Sequence, residues 1–143
     1  MEFSRRDLGF LLPAVAAVNA RAQERQAAVL DSNVYHSGKI AYEGDQKKKG
    51  RRFFYGKNHI GFKLEMHETV LGPGTETHAP HKHEHEEIVI VVEGTAGVYL
   101  EGKTETAEAG SVIYFGSNQM HSARNAGTVP CRYYVIELRG NEA

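Results

Sequence analysis

From Glu87 to Leu138 the chain breaks into six short segments rich in β-branched and aromatic residues, at 87–92, 95–100, 103–106, 111–115, 121–125 and 131–138. The connectors carry Gly94, Gly102, Gly110, Gly116 and Gly127. Runs this short are too brief for ordinary helices. Turns at intervals of roughly ten residues let successive strands fold back on one another, so the pattern predicts an all-β barrel or double-sheet jelly roll. Upstream, 52–55 reads as a short strand closed by a Gly56-Lys57-Asn58 turn. The stretch 62–70 alternates, with Phe62, Leu64, Met66 and Val70 on one face and Lys63, Glu65 and His67 on the other. On that reading His67 faces solvent; on the opposite parity His67, Glu65 and Tyr99 would line a cavity.

Three strands depart from alternation. Residues 88–92, 112–115 and 133–136 are apolar at successive positions, which predicts burial on both faces. A single two-sheet sandwich exposes the outer face of each sheet. The segment before Arg52 or a second subunit is needed as cover, and a homodimer, formed partly through that segment, is the expectation.

Immediately before the first apolar run stands Pro80-His81-Lys82-His83-Glu84-His85-Glu86-Glu87. Residues two apart project to the same side of an extended chain, so His81, His83, His85 and Glu87 share one face. Imidazole nitrogens and a carboxylate oxygen gathered on a curved strand can converge on one ion. His121, on a later strand, is the candidate that completes the set. The remaining chemistry is restricted. At 143 residues the chain is one domain, and 17 basic against 18 acidic residues give a net charge of -1, which carries no nucleic-acid footprint. Cys131 stands alone, excluding a disulfide framework or a cysteine zinc cage; it reads as a small buried apolar residue. The basic run 46–52 reads as a solvated loop or strand edge.

His81-x-His83-x3-Glu87-x6-Gly94 and Gly110-x5-Gly116-x-Asn118-x2-His121-x3-Asn125 together resemble the two motifs of the cupin superfamily. Gly116 and Asn118 stand where the family usually has Pro and Gly, and Thr75 where it has Gly; these are turn positions, and every ligand position is filled. The resemblance implies a double-stranded β-helix, or jelly-roll barrel, in which His81, His83, Glu87 and His121 bind one divalent transition metal. Mn or Fe is favoured, with Ni, Co, Cu and Zn left open. The family pattern skips His85, which becomes a supporting group. Asn125 faces inward and satisfies backbone groups of the adjoining turn. By analogy the resemblance points to a mononuclear metal enzyme of oxygenase type acting on a small oxygenated or carboxylated molecule, with catalytic residues unassigned. A non-catalytic metal or small-molecule binding cupin is the alternative, as is a cupin isomerase, decarboxylase or lyase.

The first 22 residues are set apart. Arg5-Arg6 precedes an uncharged apolar stretch, 8–18, and Ala20-Arg21-Ala22 offers a cleavage site. The arrangement resembles a twin-arginine export signal and implies a periplasmic or secreted protein. The apolar stretch is about half the ~20 residues a membrane span needs, so no stable membrane insertion is expected. The expected organisation is signal at 1–22, N-terminal extension at 23–50 and barrel at 51–140.

Overall fold

Among the described residues, nine strands in two antiparallel sheets carry the fold. The computed structural model describes residues 28–140, so the expected signal, 1–22, lies outside the described residues. A 3-10 turn at Ser37–Lys39 precedes β1 (Glu43–Gly44), β2 (Lys48–Lys57) and β3 (Lys63–Leu71). Then follow β4 (Glu86–Glu93), β5 (Thr95–Leu100), β6 (Lys103–Glu108), β7 (Val112–Phe115), β8 (His121–Asn125) and β9 (Cys131–Gly140). The six expected downstream strands are all present, each within two residues of its expected ends. Upstream, β2 is longer than expected: it takes in most of the basic run and continues through Gly56 and Lys57. The turn starts at Asn58, whose side chain accepts hydrogen bonds from the N–H groups of Ile60 (3.1 Å) and Phe62 (2.9 Å).

The larger sheet has the order β1-β2-β3-β9-β4-β7 and the smaller β6-β5-β8. Together they form the all-β double-sheet jelly roll that the turn spacing suggested, the double-stranded β-helix that the motif resemblance implied. Leu71, Val89, Val91, Phe115, Tyr133 and Val135 of the larger sheet share one buried cluster with Ala96, Val98 and Ala107 of the smaller. The core therefore lies between the sheets. Burying each Val or Leu contributes about 1.5–3 kcal/mol.

Register sets what faces inward. Glu65 of β3 pairs with Glu137 of β9, which pairs with Glu87 of β4, which pairs with Phe115 of β7. One row further along stand His67, Val135, Val89 and Ile113, and beyond it Thr69, Tyr133 and Val91. This corrects the reading of 62–70. Lys63, Glu65, Thr69 and Leu71 are the buried parity, His67 belongs to it, and Leu64, Met66 and Val70 face outward and are only partly buried. The apolar side is outside because Glu65 and His67 face inward beside Glu137 and Glu87, at the end of the sheet where the interior is not a continuous oily layer.

The outer face is covered on one half by the extension. Tyr35 packs on Phe54 with ring centroids 5.2 Å apart. Glu68, 0% exposed, projects from β3 to this side. It accepts hydrogen bonds from Arg51 (2.5 Å), Tyr42 (2.9 Å) and Arg132 (3.0 Å), and Arg51 also donates to the Ser37 carbonyl at 2.7 Å. The other half is left open by the described residues: Val112 is 65% and Tyr114 54% exposed on β7. Burial on both faces of β7, expected from its unbroken apolar run, is therefore not met among the described residues; β7 alternates exposed and buried.

Candidate metal centre

His81 and His83 sit in the irregular approach to β4, and the main chain fixes that approach against β8. The His81 N–H donates to the His121 carbonyl at 3.0 Å and the His121 N–H to the His81 carbonyl at 2.9 Å, an isolated antiparallel bridge. The Asn118 N–H donates to the His83 carbonyl at 2.7 Å. Asn118 adopts φ +56°, a left-handed position that Asn tolerates. Gly116 does not adopt that conformation; a Cβ there would lie 2.6 Å from Gln119 Oε1, so its bare Cα makes room for a side chain. Asn125 fills its expected role, donating to the carbonyls of Leu71 (2.9 Å) and Val129 (2.7 Å) and accepting from the Gly127 N–H at 2.8 Å.

All four residues expected as ligands come together. Ligand atoms of His81, His83 and His121 lie within 4.8 Å of one another. Glu87 Oε1 is 3.2 Å from His83 Nε2, and Glu87 Oε2 is 3.9 Å from His121 Nε2. His83 Nδ1 lies 2.8 Å from the His85 carbonyl and His121 Nδ1 lies 2.9 Å from that of Gln119. A carbonyl only accepts, so each Nδ1 carries the proton and each Nε2 presents a lone pair. Both Nε2 atoms, and Nδ1 of His81, are buried without a hydrogen-bond partner among the described residues. The His83–Glu87 approach is therefore a close contact rather than a hydrogen bond, with a lone pair facing a carboxylate. Such a set is costly by itself and well suited to a cation placed between its members. The residues present fit a divalent metal.

The surroundings favour neutral imidazoles. Burial, then the neighbouring histidines, lowers the pKa of His81, and burial is also the main cause lowering that of His121, against a backbone hydrogen bond that raises it. Burial raises the Glu87 carboxyl, with Glu137 adding to the rise and His83 and His67 opposing it. His121 stacks on Phe115 at 4.2 Å, which fixes its ring plane.

His85 is closer to the centre than its supporting role implied. Its ring stacks on His83 at 3.5 Å, and its Nε2 is 3.5 Å from Glu87 Oε1 and 3.8 Å from Glu137 Oε2. With His83 and Glu87 it forms a second compact donor set. Burial first, then His83 and Arg139, brings its pKa down to about 4. His78, at the rim, contacts His81 edge-on at 3.9 Å between ring centroids.

A cavity of about 190 Å³ opens from the centre, lined by Glu87 and His121 and by Val89, Phe115, Tyr133 and Val135. His67, Thr69 and Glu137 also line it. Of the residues the sequence offered as cavity lining on the opposite parity, His67 does so, while Glu65 and Tyr99 are not among the lining residues, and Thr69 and Glu137 were not singled out. Glu65, His67 and Glu137 form a third donor set beside it, with Glu65 held by Arg52 at 2.9 Å and Glu137 by Arg139 at 2.6 Å. Burial alone would raise the Glu65 carboxyl, but His67 and Arg52 together outweigh it and the pKa falls. The signal available in the sequence was the unbroken polar parity of Lys63, Glu65, His67 and Thr69.

Residues 67–137 match a family model described as a cupin domain. No curated protein matches the chain in sequence. Among solved structures, an RmlC-like cupin from Shewanella frigidimarina superposes with a TM-score of 0.64 at 19% identity, covering 78% of this chain and 95% of that one. The polyketide cyclase RemF from Streptomyces resistomycificus superposes with a TM-score of 0.60 at 23% identity, covering 79% and 81%. A predicted oxalate decarboxylase from Thermotoga maritima gives 0.62 at 20%, covering 75% and 99%. At these identities the likeness is one of fold.

Proposed function

We propose that this chain, whose matched domain and fold support the cupin superfamily, holds one divalent transition metal through His81, His83, Glu87 and His121. On this reading it is a mononuclear metal enzyme of oxygenase type acting on a small oxygenated or carboxylated organic molecule. The observation that carries the metal assignment is the group of three buried imidazole nitrogens without hydrogen-bond partners among the described residues, gathered beside Glu87. Nitrogen and carboxylate donors suit Mn or Fe, and loading before export in the folded state favours them over Cu. When bound, the metal supplies a Lewis acid or redox centre with positions left open to substrate. The chain's own contribution is positional. The His85 and Gln119 carbonyls fix the tautomers of His83 and His121, Phe115 fixes the His121 ring, and Val89 and Val135 give the substrate a carbon-facing wall.

The export reading rests on the sequence of 1–22. The open outer face of β7, with Val112 and Tyr114, supports the homodimer, a second copy covering what the extension leaves bare. A non-catalytic binding module is the second reading, favoured by the small size and partly apolar lining of the cavity.

Elemental analysis and electron paramagnetic resonance on the purified protein test the metal. The expected result is close to one divalent ion per chain, with His81→Ala lowering both metal content and the thermal midpoint. At a free metal concentration a hundred times Kd, the lost stabilisation is about 2.7 kcal/mol. Metal content that is the same in wild type and variant refutes the ligand assignment. Aerobic and anaerobic assays of Fe- and Mn-loaded protein against catechols, flavonols, diketones and oxalate separate the two functions. Oxygen-dependent substrate loss supports the oxygenase, and silence across the panel selects the binding module.

A further inference from the structure

Tyr133 lies on the inner face of β9, between Thr69 of β3 and Val91 of β4, and is 2% exposed. It lines the cavity that Glu87 and His121 also line. Its hydroxyl is buried and has no hydrogen-bond partner among the described residues, although Thr69 stands directly across the ladder. Burial, with a smaller contribution from Cys131, holds the phenol far above its ordinary range; the Thr69 side chain, a hydrogen-bonding neighbour that does not close a bond to the hydroxyl here, opposes the rise. The group therefore stays protonated and can both donate and accept. A hydroxyl buried without a partner is costly, and retaining one in the wall of a cavity is explained by a partner that enters from the cavity.

The cavity limits what that partner can be. About 190 Å³ is roughly six waters' worth of space, enough for a compact molecule of a few carbons. Val89, Val135, Phe115 and Ala123 supply apolar wall, and Lys48, whose ammonium donates to the Thr77 carbonyl at 2.6 Å, places positive charge among the lining residues.

We infer that the Tyr133 hydroxyl is a specificity-determining group, and that the ligand it selects is a small bifunctional acid. One oxygen-bearing end of that ligand meets the metal centre, and a second hydroxyl or carbonyl oxygen meets Tyr133. This deepens the metal reading and rests on it.

The test uses two isosteric acids, 3-hydroxypropionate and butyrate, which differ by a hydroxyl in place of a methyl group. Both are titrated calorimetrically into metal-replete wild type and Tyr133→Phe, with metal content and thermal midpoint measured for each protein. Wild type is expected to bind the hydroxy acid roughly tenfold more tightly than butyrate, the scale of one hydrogen bond. Tyr133→Phe is expected to lose that preference while keeping its metal and a midpoint no lower than wild type. The same preference in both proteins, or no binding of either acid to metal-replete wild type, overturns the inference. So does a lowered midpoint in Tyr133→Phe, which would show that the hydroxyl already has a partner within the protein. Absence of metal from wild type overturns the metal reading itself, and this inference with it.

Discussion

Replacing Glu68 by Gln tests how the N-terminal extension is fastened to the barrel. The carboxylate is fully buried and takes hydrogen bonds from Arg51, Arg132 and Tyr42. Gln keeps the size but turns one acceptor oxygen into an amide facing guanidinium or hydroxyl donors, and leaves two cations with no anion at that point. Removing one partner of a buried ion pair costs about 3–5 kcal/mol. Here the guanidinium groups have other resources. Arg132 keeps Glu93 at 2.7 Å, Arg51 keeps the Ser37 carbonyl, and their side chains are 25% and 12% exposed. The lower end, about 3 kcal/mol, is therefore expected, which for a domain of this size is a fall in Tm of roughly 10–15 °C. Chemical denaturation of wild type, Glu68→Gln, Arg51→Met and the double variant measures it. A coupling energy of at least about 1 kcal/mol should appear in the cycle. Burial alone would raise the Glu68 carboxyl, but bonds from Arg132, Arg51 and Tyr42 outweigh it and the pKa is lowered. The stabilisation is then fully present above the unfolded carboxylate value of 4.5 and is lost as pH falls below it, so the variant should show a flatter acid limb. A loss under about 1 kcal/mol, or strictly additive variants, refutes the fastening.

Gly94→Ala should cost at least about 2 kcal/mol, because the residue holds φ +76° and a Cβ would lie 2.5 Å from the Pro130 carbonyl oxygen and 2.9 Å from Cys131 Cα. Gly110→Ala, at φ +92° with open space around it, should cost only about 1–2 kcal/mol; equal losses by urea denaturation refute the close-approach argument. For metal-free protein, His81, His121 and His85 all have folded pKa values below the unfolded 6.5, with burial as the first cause and His85 reaching about 4. The unfolded chain binds more protons in that interval, so stability should be full above about pH 6.5 and decline toward pH 4. Urea midpoints that stay flat across the window, or an unchanged slope in His85→Gln, contradict this.

Strand positions were legible because the turns are marked by residues that do little else: Gly94, Gly102 and Gly110 all take positive φ at strand ends. That His81, His83, Glu87 and His121 come together was legible because their spacing was intact. The sidedness of β3 was not. Alternation assigns apolar residues to the core, but this barrel encloses a site, so Glu65, His67 and Thr69 point in while Leu64 and Met66 point out. Glu68 was hidden for a related reason. A lone acid in an apolar parity reads as an interruption unless Arg51 and Arg132, far apart in sequence, are known to meet it. His85 was only half legible: its parity placed it correctly near Glu87, while its stacking on His83 depends on how the approach to β4 bends.

On the proposed metal reading, the reciprocal hydrogen bonds between His81 and His121 have a bearing on metal exchange. They join residues forty positions apart through peptide groups alone, so the frame that spaces the imidazoles is held by backbone hydrogen bonds and uses no side-chain ligand atom. An incoming ion then has little chain to order and a departing one little to release. Replacement of one metal by another should proceed at the rate of ligand exchange rather than of domain opening. The occupant would follow from donor preference and from whichever ion is supplied where the fold first closes.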